Sequence, residues 1–89
     1  MLQTFEIKLE ARDTYDILAF IPNKSQVKIR NLGSVPVRVS SVEEQLNEGW
    51  VLFTSEILEI KKEDAEARLY AKLNNGGYTV LSIAYTVET

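Results

Sequence analysis

Thirteen carboxylates and no histidine or cysteine set the chemical range of this chain of 89 residues. Glu43, Glu44 and Glu48 stand close enough to act as a general acid–base pair or to hold a hard cation. Calcium loops alternate carboxylates with carbonyl ligands around a sharp glycine turn, and this spacing lacks that pattern. Asp13 and Asp16 flank a polar break and read as local caps for backbone N–H groups. A glycosidase-type reaction needs only two facing acids, but a β domain this small is an unusual carrier for them. Without histidine or cysteine, the Ser–His–Asp triad, the Cys–His pair and the common zinc sites are excluded. Neither GxGxxG nor GxxxxGK[ST] occurs, which argues against a phosphate loop. The expectation is a protein without catalysis, metal or cofactor.

Recognition chemistry is better represented. Lys28, Arg30 and Arg38 lie within eleven residues of one another and suit an acidic protein surface, or a plain solvated face. Trp50 is the only tryptophan. It suits an interface anchor, although a lone tryptophan in a small sandwich more often packs the core. Phe53 follows three residues on, a second candidate apolar contact. Tyr70, Tyr78 and Tyr85 would offer a stacking platform, yet tyrosine is common in strands for packing reasons alone. The net charge of −3 argues against generic nucleic-acid binding. Residues 1–40 carry +2 and residues 41–89 carry −5, an asymmetry able to orient an encounter with a charged partner.

The elements that hold these residues are short. Phe5, Ile7 and Leu9 alternate with charged residues, the mark of a half-buried strand. Residues 15–21, YDILAFI, are apolar on both faces and predict a central or covered strand, closed by Pro22, Asn23 and Lys24. Val27 and Ile29 alternate with Lys28 and Arg30; Val35, Val37 and Val39 repeat the pattern after Gly33. A hairpin across Leu32–Ser34 would set Ile29 opposite Val37 and Lys28 opposite Arg38. Like charges directly opposite are destabilising, so either the strands are not partners or that face meets an anion or an acidic surface. Pro36 lies inside the valine run and predicts an edge strand. Ser41 with Glu44 resembles a capping box, and Gly49 suits a helix C-cap. Residues 50–54 and 56–61 read as strands. Residues 62–75 support two readings, a helix ending at Gly76–Gly77 or a strand over 67–73 with a hairpin turn at Asn75–Gly77. Residues 78–88 are the clearest strand, with Leu81, Ile83, Tyr85 and Val87 on one side.

Length predicts one domain, residues 1–89, with a thin core. Absent cysteine fits folding in a reducing cytoplasm. The opening MLQTFEIKLE lacks a basic segment followed by an apolar one, and no apolar run approaches a membrane span. The expectation is no signal peptide, no membrane contact and no nucleic acid.

Three segments resemble small bacteriophage virion proteins. VKIRNLGSVPVRVSS is similar to their strand–turn–strand unit, GWVLFTSEILEI to their next segment, and ARLYAKLNNGGYTVLSIAY to their closing hairpin. The likeness covers residues 27–87 at the level of pattern. SSVEEQLNEG and KKEDAEA are more acidic and helix-prone than the family's turns. The resemblance implies an all-β fold, a small antiparallel β-sandwich or jelly-roll-like domain of about eight short strands. An α+β domain with a helix near 62–75 is the alternative. It further implies a capsid decoration (cement) protein that binds the major capsid protein of an assembled shell and associates with itself, usually as a trimer. Such a protein is made in the bacterial cytoplasm and ends on the virion surface. The implied contacts are Lys28, Arg30, Arg38, Trp50 and Phe53. The rivals are a recognition module of a tail or fibre, binding carbohydrate or protein, and a cytoplasmic α+β regulatory domain, which follows if residues 62–75 are helical.

Overall fold

The computed structural model describes residues 2–74 and 76–88. Over these residues the chain forms eight strands: β1 (Leu2–Glu10), β2 (Thr14–Asp16), β3 (Ser25–Asn31), β4 (Val37–Ser40), β5 (Trp50–Leu52), β6 (Ile57–Lys62), β7 (Tyr70–Leu73) and β8 (Tyr78–Val87). They build two antiparallel four-stranded sheets, β1-β8-β3-β6 and β2-β7-β4-β5. The pairs β1/β8, β2/β7, β3/β6 and β4/β5 are successive rungs of one long hairpin wound across both sheets. This strand order is that of a jelly roll. The all-β reading holds, and the α+β alternative fails at residues 62–75: strand β7 occupies 70–73, preceded by irregular turns. Ala71 and Leu73 bury against the opposite sheet, and that burial overrides the helix propensity of the segment.

The core lies between the sheets. Ile7, Leu9, Val27, Ile29, Leu81 and Ile83 face it from the first sheet; Val37, Val39, Leu52, Ala71 and Leu73 face it from the second. Full burial of one such side chain contributes about 1.5–3 kcal/mol, so these inward rows outweigh any single surface contact.

Alternation predicted the buried face of β3 and β4 but not their partners. Ile29 lies between Leu58 and Ile83, whereas Val37 lies between Leu52 and Leu73, in the other sheet. The expected β3–β4 hairpin is therefore an arch from one sheet to the other. Pro36 does not mark an edge: β4 is central, between β7 and β5. The proline precedes the first ladder residue, so its missing N–H costs no ladder bond, and its carbonyl accepts from the Asn74 N–H at 2.9 Å. The β7–β8 link is likewise an arch rather than a hairpin. Gly77 has φ +104°, a left-handed conformation open to glycine, while Asn75 lies outside the described residues.

Residues 15–21 also depart from expectation. The chain leaves β2 after Asp16 and forms a 3₁₀ turn over Ile17–Phe20. Asp16 Oδ1 accepts the Leu18 N–H at 3.2 Å and starts the turn, and Asp13 Oδ2 accepts the Glu10 N–H at 3.1 Å. Both aspartates are the local caps expected of them. Ile17, Leu18 and Ile21 plug one end of the sandwich, which is why the run is apolar without strand alternation. The buried Lys62 ammonium closes that end by donating to the Leu18 and Ile21 carbonyls at 2.7 and 2.6 Å. A second 3₁₀ turn, Glu43–Glu48, joins β4 to β5. Its cap position is Val42 without a side-chain bond; Ser40 Oγ, rather than Ser41, accepts the Val42 N–H. The capping box is absent because the turn begins one residue late, while Gly49 does end it, donating to the Leu46 carbonyl at 3.1 Å.

At the opposite end sits a polar centre that pattern reading missed. Asn31 is fully buried. Its Nδ2 donates to the Val35 and Leu52 carbonyls at 2.9 and 3.1 Å. Its Oδ1 accepts the Gly33 N–H at 3.1 Å and the Thr79 hydroxyl at 2.6 Å. One side chain thus ties β3, β5, β8 and the β3–β4 arch together, with every hydrogen-bonding capacity used.

Candidate docking surface

The first sheet turns Lys28 and Arg30 outward from its central strand β3. Lys28 pairs with Glu59 on β6 at 3.7 Å, both ends well exposed. Arg30 is flanked by Ser82 and Ile57, which are uncharged, and among the described residues no carboxylate lies within salt-bridge distance of it. The neighbouring β8 presents small side chains, Val80, Ser82 and Ala84, so the basic residues stand above a low floor. Exposed ion pairs contribute about 0–1 kcal/mol at most, so the Lys28–Glu59 contact leaves the lysine free to exchange partners.

Arg38 is not part of this patch. It projects from β4 on the outer side of the second sheet, beside Lys72, and the core separates it from Lys28 and Arg30. Its Nε donates to Asn74 Oδ1 at 2.7 Å and its Nη1 to the Gly49 carbonyl at 3.2 Å. Arg38 therefore fastens two loops, and the three-residue basic cluster read from the sequence is divided between opposite faces. The same division resolves the like-charge conflict: Lys28 and Arg38 never face each other.

Trp50 is 69% exposed and Phe53 is 55% exposed. The core placement expected for the tryptophan is wrong. Trp50 shares the inward face of β5 with the buried Leu52, but it lies at the start of an edge strand, where among the described residues no outer strand covers it. Phe53 begins the turn from β5 to β6, held by Glu56 Oε1, which accepts the Phe53 N–H at 2.7 Å. Leu32 and Ile57, both exposed, lie at the same end of the molecule, next to the Ser55 N–H bond to the Asn31 carbonyl at 2.8 Å. The tyrosines form no common platform. Tyr78 lies under the Lys8 ammonium at 4.9 Å on the first sheet, Tyr85 packs edge-on to Phe5 between the sheets, and Tyr70 belongs to the second sheet.

At the far corner Glu88 accepts from Gln26 Nε2 at 2.6 Å and pairs with Lys61 at 2.9 Å. The Gln26 bond, then the Lys61 contact, holds the Glu88 carboxyl below its ordinary value of 4.5. The Glu88 bond, assisted by Glu63, raises Lys61. A depressed carboxylate stabilises the fold above its unfolded value, and that contribution is lost as pH falls through the folded one. The raised lysine acts at the other extreme: its contribution is present below the unfolded value and lost as pH rises through the folded one. Glu88→Gln is therefore expected to lower the melting midpoint slightly at neutral pH, where the carboxylate contributes, and to leave the acid end unchanged, so that the fall below pH about 4.5 becomes shallower by that small amount. Thermal unfolding followed across that range checks it; an unaltered acid profile would contradict the linkage.

Among the described residues there is no group of three acidic, histidine or cysteine side chains placed to hold a metal, and no enclosed cavity. Glu43, Glu44 and Glu48 lie on the exposed second 3₁₀ turn. No helix among those residues is long and apolar enough to cross a membrane. No family model, curated protein or solved structure matches the chain.

Proposed function

We propose that this chain is a structural protein of a bacteriophage virion, a decoration or cement protein that docks on the assembled capsid shell and stabilises it. The observation that carries the reading is the jelly-roll strand order together with exposed Trp50 and Phe53. That architecture recurs in viral capsid and lectin domains, and the virion resemblance of residues 27–87 points to the first. Fold alone does not assign function; the exposed aromatic pair and the Lys28–Arg30 face supply the contact chemistry. Aromatic side chains are common binding anchors, and basic residues steer approach to an acidic surface.

The mechanism is linkage. A ligand that binds the assembled shell and not its dissociated subunits stabilises the shell by RT ln(1 + [L]/Kd). No bond is made or broken. The double variant Lys28→Glu/Arg30→Glu is expected to lose co-sedimentation with shells built from the capsid protein of the same genome. Arg38→Gln, on the opposite face, is expected to retain it. Equal binding by both variants would remove the first sheet from the contact. A lectin-like recognition module is the second reading, favoured by the exposure of Trp50. Quenching of its fluorescence by added glycans, with no shell binding, would select that reading instead.

A further inference from the structure

We propose that the free edge of β6 pairs, antiparallel, with the same edge of a second copy about a two-fold axis centred on Ile60. Among the described residues the strand ends the first sheet and is bonded on one side only, to β3. Near its two ends, Glu56 and Lys62 turn their carbonyls toward β3, accepting from Asn31 and Lys24. Antiparallel alternation then turns the N–H and C=O groups of Ile57, Glu59 and Lys61 off the sheet, ready to pair. The strand contains neither proline nor glycine.

Charge selects the register. Centred on Ile60, Glu59 lies opposite Lys61 of the second copy, twice by symmetry, and the two exchange main-chain hydrogen bonds. Centring on Glu59 sets Glu59 against itself, and centring on Lys61 sets Lys61 against itself and Glu59 against Glu63. Directly opposed like charges destabilise a strand pair, so one register is favoured.

The other edge of this sheet, β1, carries a similar charge alternation in Glu6 and Lys8. The two edges differ in what remains to be covered. The inward Ile7 and Leu9 of β1 are already buried, and its half-buried inward Phe5 packs edge-on to Tyr85 of the same sheet. The inward Leu58 and Ile60 of β6 are only half-buried, and Ile57 is 56% exposed. A second β6 covers those three side chains and makes one continuous eight-stranded sheet. A two-fold contact of this kind closes on itself and does not grow into fibres.

The pairing needs no shell, so its test is separate from the docking reading. Light scattering after size exclusion is expected to give about twice the 10.1 kDa chain mass. Glu59→Lys and Lys61→Glu each create two like-charge pairs and are each expected to weaken association about tenfold or more. In a dimer of one variant with the other, every opposed pair becomes attractive again, so a 1:1 mixture is expected to restore the dimer. Circular dichroism of each variant confirms that it is folded. A wild-type monomer, a wild-type trimer as the virion resemblance implies, or variants whose mixture stays monomeric would each overturn the proposal.

Discussion

Asn31→Ala is expected to lower the unfolding free energy by about 3 kcal/mol, and the melting midpoint by about 12–24 °C. Asn31 makes four hydrogen bonds, all in the interior end of the sandwich. Truncation strands two carbonyls, one N–H and one hydroxyl; the bonds to Leu52 and Thr79 are buried, those to Val35 and Gly33 part-buried. Each unsatisfied buried group costs about 1–3 kcal/mol, and partial relaxation of the arch keeps the sum below the simple total. Asn31→Asp does not restore stability, because a carboxylate cannot donate to the Val35 and Leu52 carbonyls. Urea unfolding of the three proteins measures this. A loss under about 1 kcal/mol for the alanine variant would mean that the network is not structurally central.

Gly33→Ala is expected to cost about 2–3 kcal/mol, although glycine to alanine in a loop more often stabilises. The arch crosses Thr79 so closely that an added methyl group would lie 2.8 Å from the Thr79 Cβ and 2.9 Å from its Cα. Backbone has to move, and the Thr79 bond to Asn31 moves with it. Thr79→Ala is not expected to rescue the variant, since Cα and Cβ remain. The Asn31→Ala and Gly33→Ala losses are expected to be less than additive, because both break the same contact. A neutral Gly33→Ala would show that the arch can shift without cost.

Both effects arise from one feature of the fold that alternation cannot encode. The period of two in residues 25–31, 37–39 and 78–87 identifies an inward face and is right for each strand. It carries no information on which strand lies beside which. A turn containing glycine between two alternating runs predicts a hairpin, yet at 32–36 and 74–77 the chain crosses between sheets. The Asn31 side chain and the close approach of Gly33 to Thr79 hold the first crossing in place. A single asparagine at a strand end gives little warning of this, since asparagine is ordinary at turns.

The candidate site was legible in part. Trp50 and Phe53 were identifiable as contact residues by type, but whether Trp50 faced core or solvent depended on β5 being an edge strand. Lys28, Arg30 and Arg38 look like one patch because they are near in sequence. The arch at Gly33 sends Arg38 to the far sheet and leaves the other two behind. Lys62 shows the same limit: one lysine among ten basic residues closes the end of the core, and only the carbonyls of the first 3₁₀ turn distinguish it.

The most direct test of the central claim compares binding to assembled shells with binding to unassembled capsid subunits from the same source. Saturable co-sedimentation with shells, no binding to free subunits and greater heat resistance of the decorated shells are the predicted result. Absent shell binding, or equal affinity for shells and subunits, would contradict the proposed role.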